Sequence, residues 1–120
     1  MTKKMVRFTV EMTINEGAFN EFERIVQTMI AGSLKESGTL GYDFFLSADR
    51  KRCLLLETYT DADAVLARMT GPVVRELVPK LLETSSLNRF EVYGDPGPKA
   101  APVLKAHGAQ IFDLWRLLGR

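Results

Sequence analysis

Cys53-Leu54-Leu55-Leu56-Glu57-Thr58-Tyr59-Thr60-Asp61-Ala62-Asp63-Ala64 changes from one kind of secondary structure to another within a few residues. Its apolar run ends in an aromatic residue, as a strand does. Thr60-Asp61 then supplies an N-cap candidate, and Asp63 places negative charge in a first turn, so a helix is expected over 62–69, stopping at Gly71-Pro72. Just upstream, Tyr42-Asp43-Phe44-Phe45-Leu46 and the polar Ser47-Ala48-Asp49-Arg50-Lys51 complete a β-hairpin with the leucine run. Farther back, Phe19, Phe22, Ile25, Val26, Met29, Ile30 and Leu34 recur at three and four residue spacing, the mark of one buried helix face ending near Ser37-Gly38. Ahead of it, Val6, Phe8, Val10 and Met12 alternate with Arg7, Thr9 and Glu11, a half-buried strand. Downstream, Val73, Val74, Leu77, Val78, Leu81 and Leu82 keep helical period while Pro79 is expected to kink or divide the piece, and residues 87–93 alternate again as a strand.

The resulting order is β, α, β, β, α, β. The expected class is therefore α+β, a ferredoxin-like sandwich with two helices covering one face of a four-stranded antiparallel sheet. The other face of that sheet is left bare, and packing it against a second copy is the simplest way to cover it. Residues 1–95 form this domain in our reading. Residues 96–120 form a C-terminal helical arm behind the stiff Asp95-Pro96-Gly97-Pro98, with Val103, Leu104, His107, Ile111, Leu114, Trp115 and Leu118 on one stripe. Trp115 is the expected anchor of the arm, on its own subunit or on a partner.

At 120 residues the chain has room for one domain, and 46% hydrophobic composition is enough for a core without covalent staples. A net charge of +1 argues against a dedicated nucleic-acid binder. Cys53 has no disulfide partner, and one Cys with one His assembles no zinc site, so no metal is expected and a reducing compartment fits best. The lysines of Met1-Thr2-Lys3-Lys4 are not followed by an apolar targeting segment, and no stretch is long enough to span a bilayer. The expected setting is cytoplasmic, without a membrane partner.

Gly38-Thr39-Leu40-Gly41-Tyr42-Asp43-Phe44 resembles the segment of glycine, small residue and aromatic that leads into the second strand of the antibiotic biosynthesis monooxygenases, which are dimeric α+β barrel proteins. The passage from Leu55 to Ala64 is similar to the family's glutamate, aromatic, acidic turn and alanine. The resemblance spans about the first 95 residues. It implies a homodimer and a small-molecule pocket between helices and sheet. For enzymatic members it implies oxygenation of quinols, phenols or anthrones by molecular oxygen with no cofactor. The alternative is a non-catalytic dimeric binding or sensing module of the same fold. Where many members carry histidine on the second helix this chain has Arg68, and no His or Trp lies in the first 95 residues, which argues against heme opening.

Glu57 and Tyr59 lie two apart on one strand and share a face, so they are candidates for a proton-handling unit. A structural hydrogen bond or ion pair at the dimer seam is the plainer alternative for Glu57. Arg68 is a candidate to stabilise a phenolate, or else a solvated helix residue. Phe8, Tyr42, Phe44, Phe90, Tyr93 and His107 are the expected pocket residues, with His107 able to act as a base if the arm covers a pocket mouth, or else a packed histidine. Cys53 and the methionines read as core.

Overall fold

The computed structural model describes residues 4–120; Met1, Thr2 and Lys3, which include one of the two lysines weighed above, lie outside the described residues. The elements are β1 (Val6–Ile14), α1 (Phe19–Ser33), β2 (Thr39–Leu46), β3 (Arg52–Tyr59), α2 (Ala62–Thr70), a π-helical turn (Val73–Leu77), α3 (Val78–Glu83), β4 (Ser85–Tyr93), α4 (Gly97–Ala106) and β5 (Gln110–Phe112). The strands form one sheet in the order β2-β3-β1-β4-β5. All pairings are antiparallel except β4 with β5. The α+β ferredoxin-like class is as expected, and the sheet has five strands rather than four.

Local chemistry explains most boundaries. Asp61 caps α2, its carboxylate accepting from the Ala64 N–H at 2.9 Å. Pro79 falls in the first turn of α3, where its missing N–H has no helical acceptor to lose, so the chain restarts a helix there instead of bending one. α1 stops at Ser33, a turn before Ser37-Gly38, because the next N–H groups close short turns, Lys35 to Gly32 and Glu36 to Ser33. Gly38 serves packing instead: a Cβ there would sit 2.5 Å from that of Ala64, so only glycine lets α2 seat this close to the start of β2.

The expected arm helix over 101–118 is replaced by two shorter elements. α4 begins inside the proline segment, since Pro96 and Pro98 occupy positions around its first turn where no N–H is needed. It ends at His107 because Gly108, at φ +87°, reverses the chain into β5 beside β4. α4 packs on its own subunit, with Ala100 and Leu104 against Val65, Met69 and Phe8. Trp115 is 80% exposed and does not anchor the segment within the chain.

Alternation along the strands sends Val6, Phe8, Met12, Cys53, Leu55, Glu57 and Tyr59 toward the helices. Two apolar clusters result. One joins Met12, Phe22, Ile25, Met29, Leu55 and Leu81 under α1 and α3; the other joins Phe8, Tyr59, Val65, Met69, Val92 and Leu104 under α2 and α4. Full burial of each such side chain contributes on the order of 2 kcal/mol. The opposite sheet face keeps Leu40, Phe45 and Leu54 exposed. Among the described residues no helix is long and apolar enough to cross a membrane.

Candidate functional site

β3 delivers Glu57 to the helix-covered face at 6% exposure, paired across the sheet with Phe8 on β1 and Tyr42 on β2. Two residues on, Tyr59 is fully buried and its hydroxyl donates to Glu57 Oε1. α2 contributes Arg68, only 2% exposed, which overturns the solvated alternative for that residue. Its Nη1 donates to Ser33 Oγ at 2.8 Å and to Glu36 Oε1 at 3.1 Å, and its guanidinium carbon stands 4.3 Å from the Tyr42 ring centroid. A planar cation stacked on an aromatic face and paired with a carboxylate is how guanidinium tolerates burial.

These neighbours set the protonation states. Burial raises the Glu57 carboxyl above the usual carboxylate range, and the opposing pull of Arg68 and of the Tyr59 hydroxyl does not restore it. Burial and then the Glu57 charge push Tyr59 well above the usual phenol range, and the same causes raise Tyr42. Burial works against the Arg68 charge, but its electrostatic coupling to the surrounding acidic groups, Tyr42 first, outweighs burial, and the guanidinium stays a cation. Glu57 is thus a carboxyl that holds its proton unusually tightly, able to exchange one with a ligand in a water-poor setting.

Such a setting adjoins it. A cavity of about 100 Å³ lies where the two apolar clusters meet, walled by Phe8, Met12, Met29, Met69, Leu81 and Phe90 among others, with Glu57, Tyr42, Arg68 and His107 as its polar lining. The π-helical turn borders it through Val74. Among the described residues no three or more His, Cys, Asp or Glu side chains converge as a metal site requires.

The antibiotic biosynthesis monooxygenase family model matches residues 5–80, which carry β1 through α2 and with them Glu57, Tyr59 and Arg68. The chain belongs to the antibiotic biosynthesis monooxygenase family. Solved structures agree on the fold. MupZ from Pseudomonas fluorescens superposes with a TM-score of 0.84 at 24% identity, covering 98% of this chain and 95% of that one. A conserved protein of unknown function from Bacteroides thetaiotaomicron gives 0.68 at 25% identity, over 76% of this chain and 97% of that one. SnoaB from Streptomyces nogalater, a cofactor-independent oxygenase, gives 0.67 at 19% identity, over 77% of this chain and 93% of that one. No curated protein matches the sequence.

Within this monooxygenase-family fold, the residues singled out from sequence are distributed unevenly. Phe8, Tyr42, Glu57, Arg68, Phe90 and His107 line the cavity. Tyr59 stands behind Glu57, acting on it rather than on the open space. Phe44 does not reach the cavity and packs edge-on against Tyr42, with ring centroids 5.0 Å apart. Tyr93, expected in the pocket, is on the opposite sheet face, its hydroxyl 3.1 Å from Thr9 Oγ1 and its ring stacked on Phe112. Cys53 is buried, and burial pushes its thiol up to about 11, as suits an unreactive core residue.

Sequence reasoning missed Ser33 and Glu36, the partners that hold Arg68. A signal for the first existed. Ser33 is four residues beyond Met29, on the apolar stripe of α1, where a hydroxyl must find a partner. It finds two, donating to the Met29 carbonyl at 2.7 Å and accepting from Arg68.

Proposed function

We propose that this protein is a cofactor-independent monooxygenase acting on a small electron-rich aromatic compound, a quinol, phenol or anthrone. The observation that carries the reading is Glu57: a buried carboxyl with raised proton affinity on the wall of an apolar cavity. In its ionised form it takes a proton from the ligand, and because its proton affinity is raised it is a stronger base than an exposed carboxylate. Arg68 places a positive charge on the same wall to stabilise the ligand anion. That anion passes an electron to molecular oxygen, and the radical pair combines at carbon. The peroxide takes the proton back and loses water, so that the ligand gives up its acidic proton and the hydrogen of the attacked carbon, and with O2 these leave C=O and H2O, the ligand itself supplying every electron. A dry cavity protects the intermediates. The description of SnoaB as a cofactor-independent oxygenase supports the same reading.

Size narrows the class. An apolar cavity of about 150 Å³ holds benzene, so about 100 Å³ leaves no room for a fused ring system. Oxygen uptake with hydroquinone, catechol and anthrone is the test. Turnover of a one-ring substrate is expected, falling roughly 100-fold or more in Glu57→Gln, and absence of uptake with every compound overturns the reading.

A second reading has its own support. The Arg68 Nη1 is already committed to Ser33 and Glu36, and Tyr59 to Glu57, which suits a binding or sensing module that needs no group free for chemistry. That reading expects thermal stabilisation by the same compounds without oxygen uptake.

The assembly we propose is a homodimer through the bare sheet face, where Leu40, Phe45 and Leu54 are 54%, 52% and 40% exposed. Exposed Trp115 and Leu118 extend the apolar surface available to a partner. Sedimentation at the 13.5 kDa of one chain rules the dimer out. The setting proposed is the cytoplasm, where the single thiol of Cys53 stays reduced.

A further inference from the structure

α4 and β5 lie beyond the matched residues 5–80, and they bring one polar side chain, His107, to the cavity. Its backbone is rigidly placed. Gly108 N–H bonds the Lys105 carbonyl and Ala109 N–H bonds that of Leu104, both at 3.0 Å, the paired bonds of a Schellman cap. Leu104 is wholly buried and Ala109 packs against the same cluster, so the cap is pinned to the core. The ring is oriented too. His107 Nδ1 lies 2.9 Å from the Val103 carbonyl oxygen, an atom that only accepts. Nδ1 therefore carries a hydrogen, and in the neutral imidazole Nε2 keeps its lone pair. Exposed to solvent yet lining the cavity, His107 stands at the mouth, while Glu57 stands on the buried wall.

We propose that His107 is a ligand-binding and specificity-determining residue of the cavity, its Nε2 accepting a hydrogen bond from a hydroxyl at the mouth while Glu57 engages a second hydroxyl inside. The ligand class this selects is a single ring with two hydroxyls, a hydroquinone in preference to a monophenol. The inference rests on the cavity being the ligand site of the function proposed above, but not on oxygen chemistry.

The chain has one histidine, so its imidazole nitrogens are read without ambiguity by multiple-bond ¹H–¹⁵N spectra of the labelled wild-type protein. The neutral ring is expected as the Nδ1–H tautomer, and anaerobic addition of hydroquinone is expected to move the Nε2 resonance. Hydroquinone should bind about tenfold more tightly than phenol, a margin expected of one added hydrogen bond. His107→Phe should erase that margin. An Nε2–H tautomer, an Nε2 resonance indifferent to hydroquinone, or a preference that survives in His107→Phe overturns the inference. Aerobic oxygen uptake separates the two claims. A responsive Nε2 without uptake supports the inference and ends the oxygenase reading. An unmoved Nε2 with wild-type uptake in His107→Phe ends the inference and leaves that reading standing.

Discussion

Glu57-Thr58-Tyr59 and Glu91-Val92-Tyr93 are the same pattern on opposite faces of one sheet, and in each the tyrosine hydroxyl donates to the carboxylate two residues before it. β1 separates them. Phe8 pairs with Glu57 and the adjacent Thr9 with Glu91, and adjacent strand residues point to opposite faces. The inner pair lies under the helices, where burial raises the Glu57 carboxyl. The outer pair faces away from them. There the Arg89 side chain, followed by the Tyr93 hydroxyl, holds the Glu91 carboxyl below its ordinary range. The same two side chains at the same spacing thus make a carboxyl of raised proton affinity on one face and one of lowered proton affinity on the other. What differs is the dielectric and the partner, both assigned by register.

The comparison is broken most forcefully through the two arginines. Arg68 is buried against Ser33, Glu36 and Tyr42, whereas the Arg89 side chain is 64% exposed beside Glu91. Removing one member of a buried pair leaves the others without compensation, and with Glu36 partly solvated the loss for Arg68→Ala is expected at the low end, about 3 kcal/mol. Arg89→Ala is expected to leave unfolding unchanged within error, as exposed ion pairs usually do. Urea titrations of both variants decide it, and equal midpoints would mean that burial does not distinguish the faces.

The tyrosines give the next largest contrast. Tyr59→Phe removes the hydroxyl donor to a buried carboxyl that water reaches poorly, an expected loss of about 2 kcal/mol. Tyr93→Phe leaves Glu91 with Arg89 and solvent, and about 0.5 kcal/mol is expected. Thermal melts of the pair sharpen the comparison if the order holds and break it if Tyr93→Phe is the more damaging.

The two motifs also show what could be read before the structure was in hand. The strand and helix periods of β1 through β4 followed from alternation and spacing, and the pairing of Glu57 with Tyr59 from the two-residue repeat of a strand. That same repeat sets Tyr93 on the face opposite to Phe90 but on the face of Leu87, and it could not say which of the two to follow. In β4 the register shifts where Glu11 meets Arg89 and Met12 meets Leu87, so one extra residue, Asn88, separates the two halves of the strand. A bulge of this kind puts Leu87 on the cavity side and resets the alternation, and composition does not announce it. The C-terminal segment misled for a related reason. Its apolar residues fit a helical stripe to Leu118, but Gly108 at positive φ ends the helix, and the preference of glycine for that turn outweighs the period beyond it. Arg68 was legible as a position and not as an environment. Its burial depends on Ser33 and Glu36, contributed by α1 and the turn after it, distant in sequence and adjacent only in the fold.

The finest contrast is the sign of a pH dependence. The proton affinity of Glu57 is higher in the folded chain than in the unfolded one, so its contribution to stability is complete below the ordinary carboxylate range and is lost as pH rises through its raised folded value. Glu91 behaves oppositely: its lowered folded value gives a contribution that is present above the ordinary range and is lost as pH falls. Replacing each with glutamine removes its proton equilibrium. The stability of Glu57→Gln relative to the parent is therefore expected to rise with pH from about 4 upward, starting at the usual glutamate value. That of Glu91→Gln is expected to rise as pH falls below that value. One proton changes stability by at most about 1.4 kcal/mol per pH unit, which bounds the Glu57 slope. Glu91, on the outer sheet face beside an exposed Arg89, should show the smaller slope, further reduced by salt. Urea unfolding across this range at low ionic strength measures both, and slopes of the same sign would remove the distinction between the two faces at its electrostatic root.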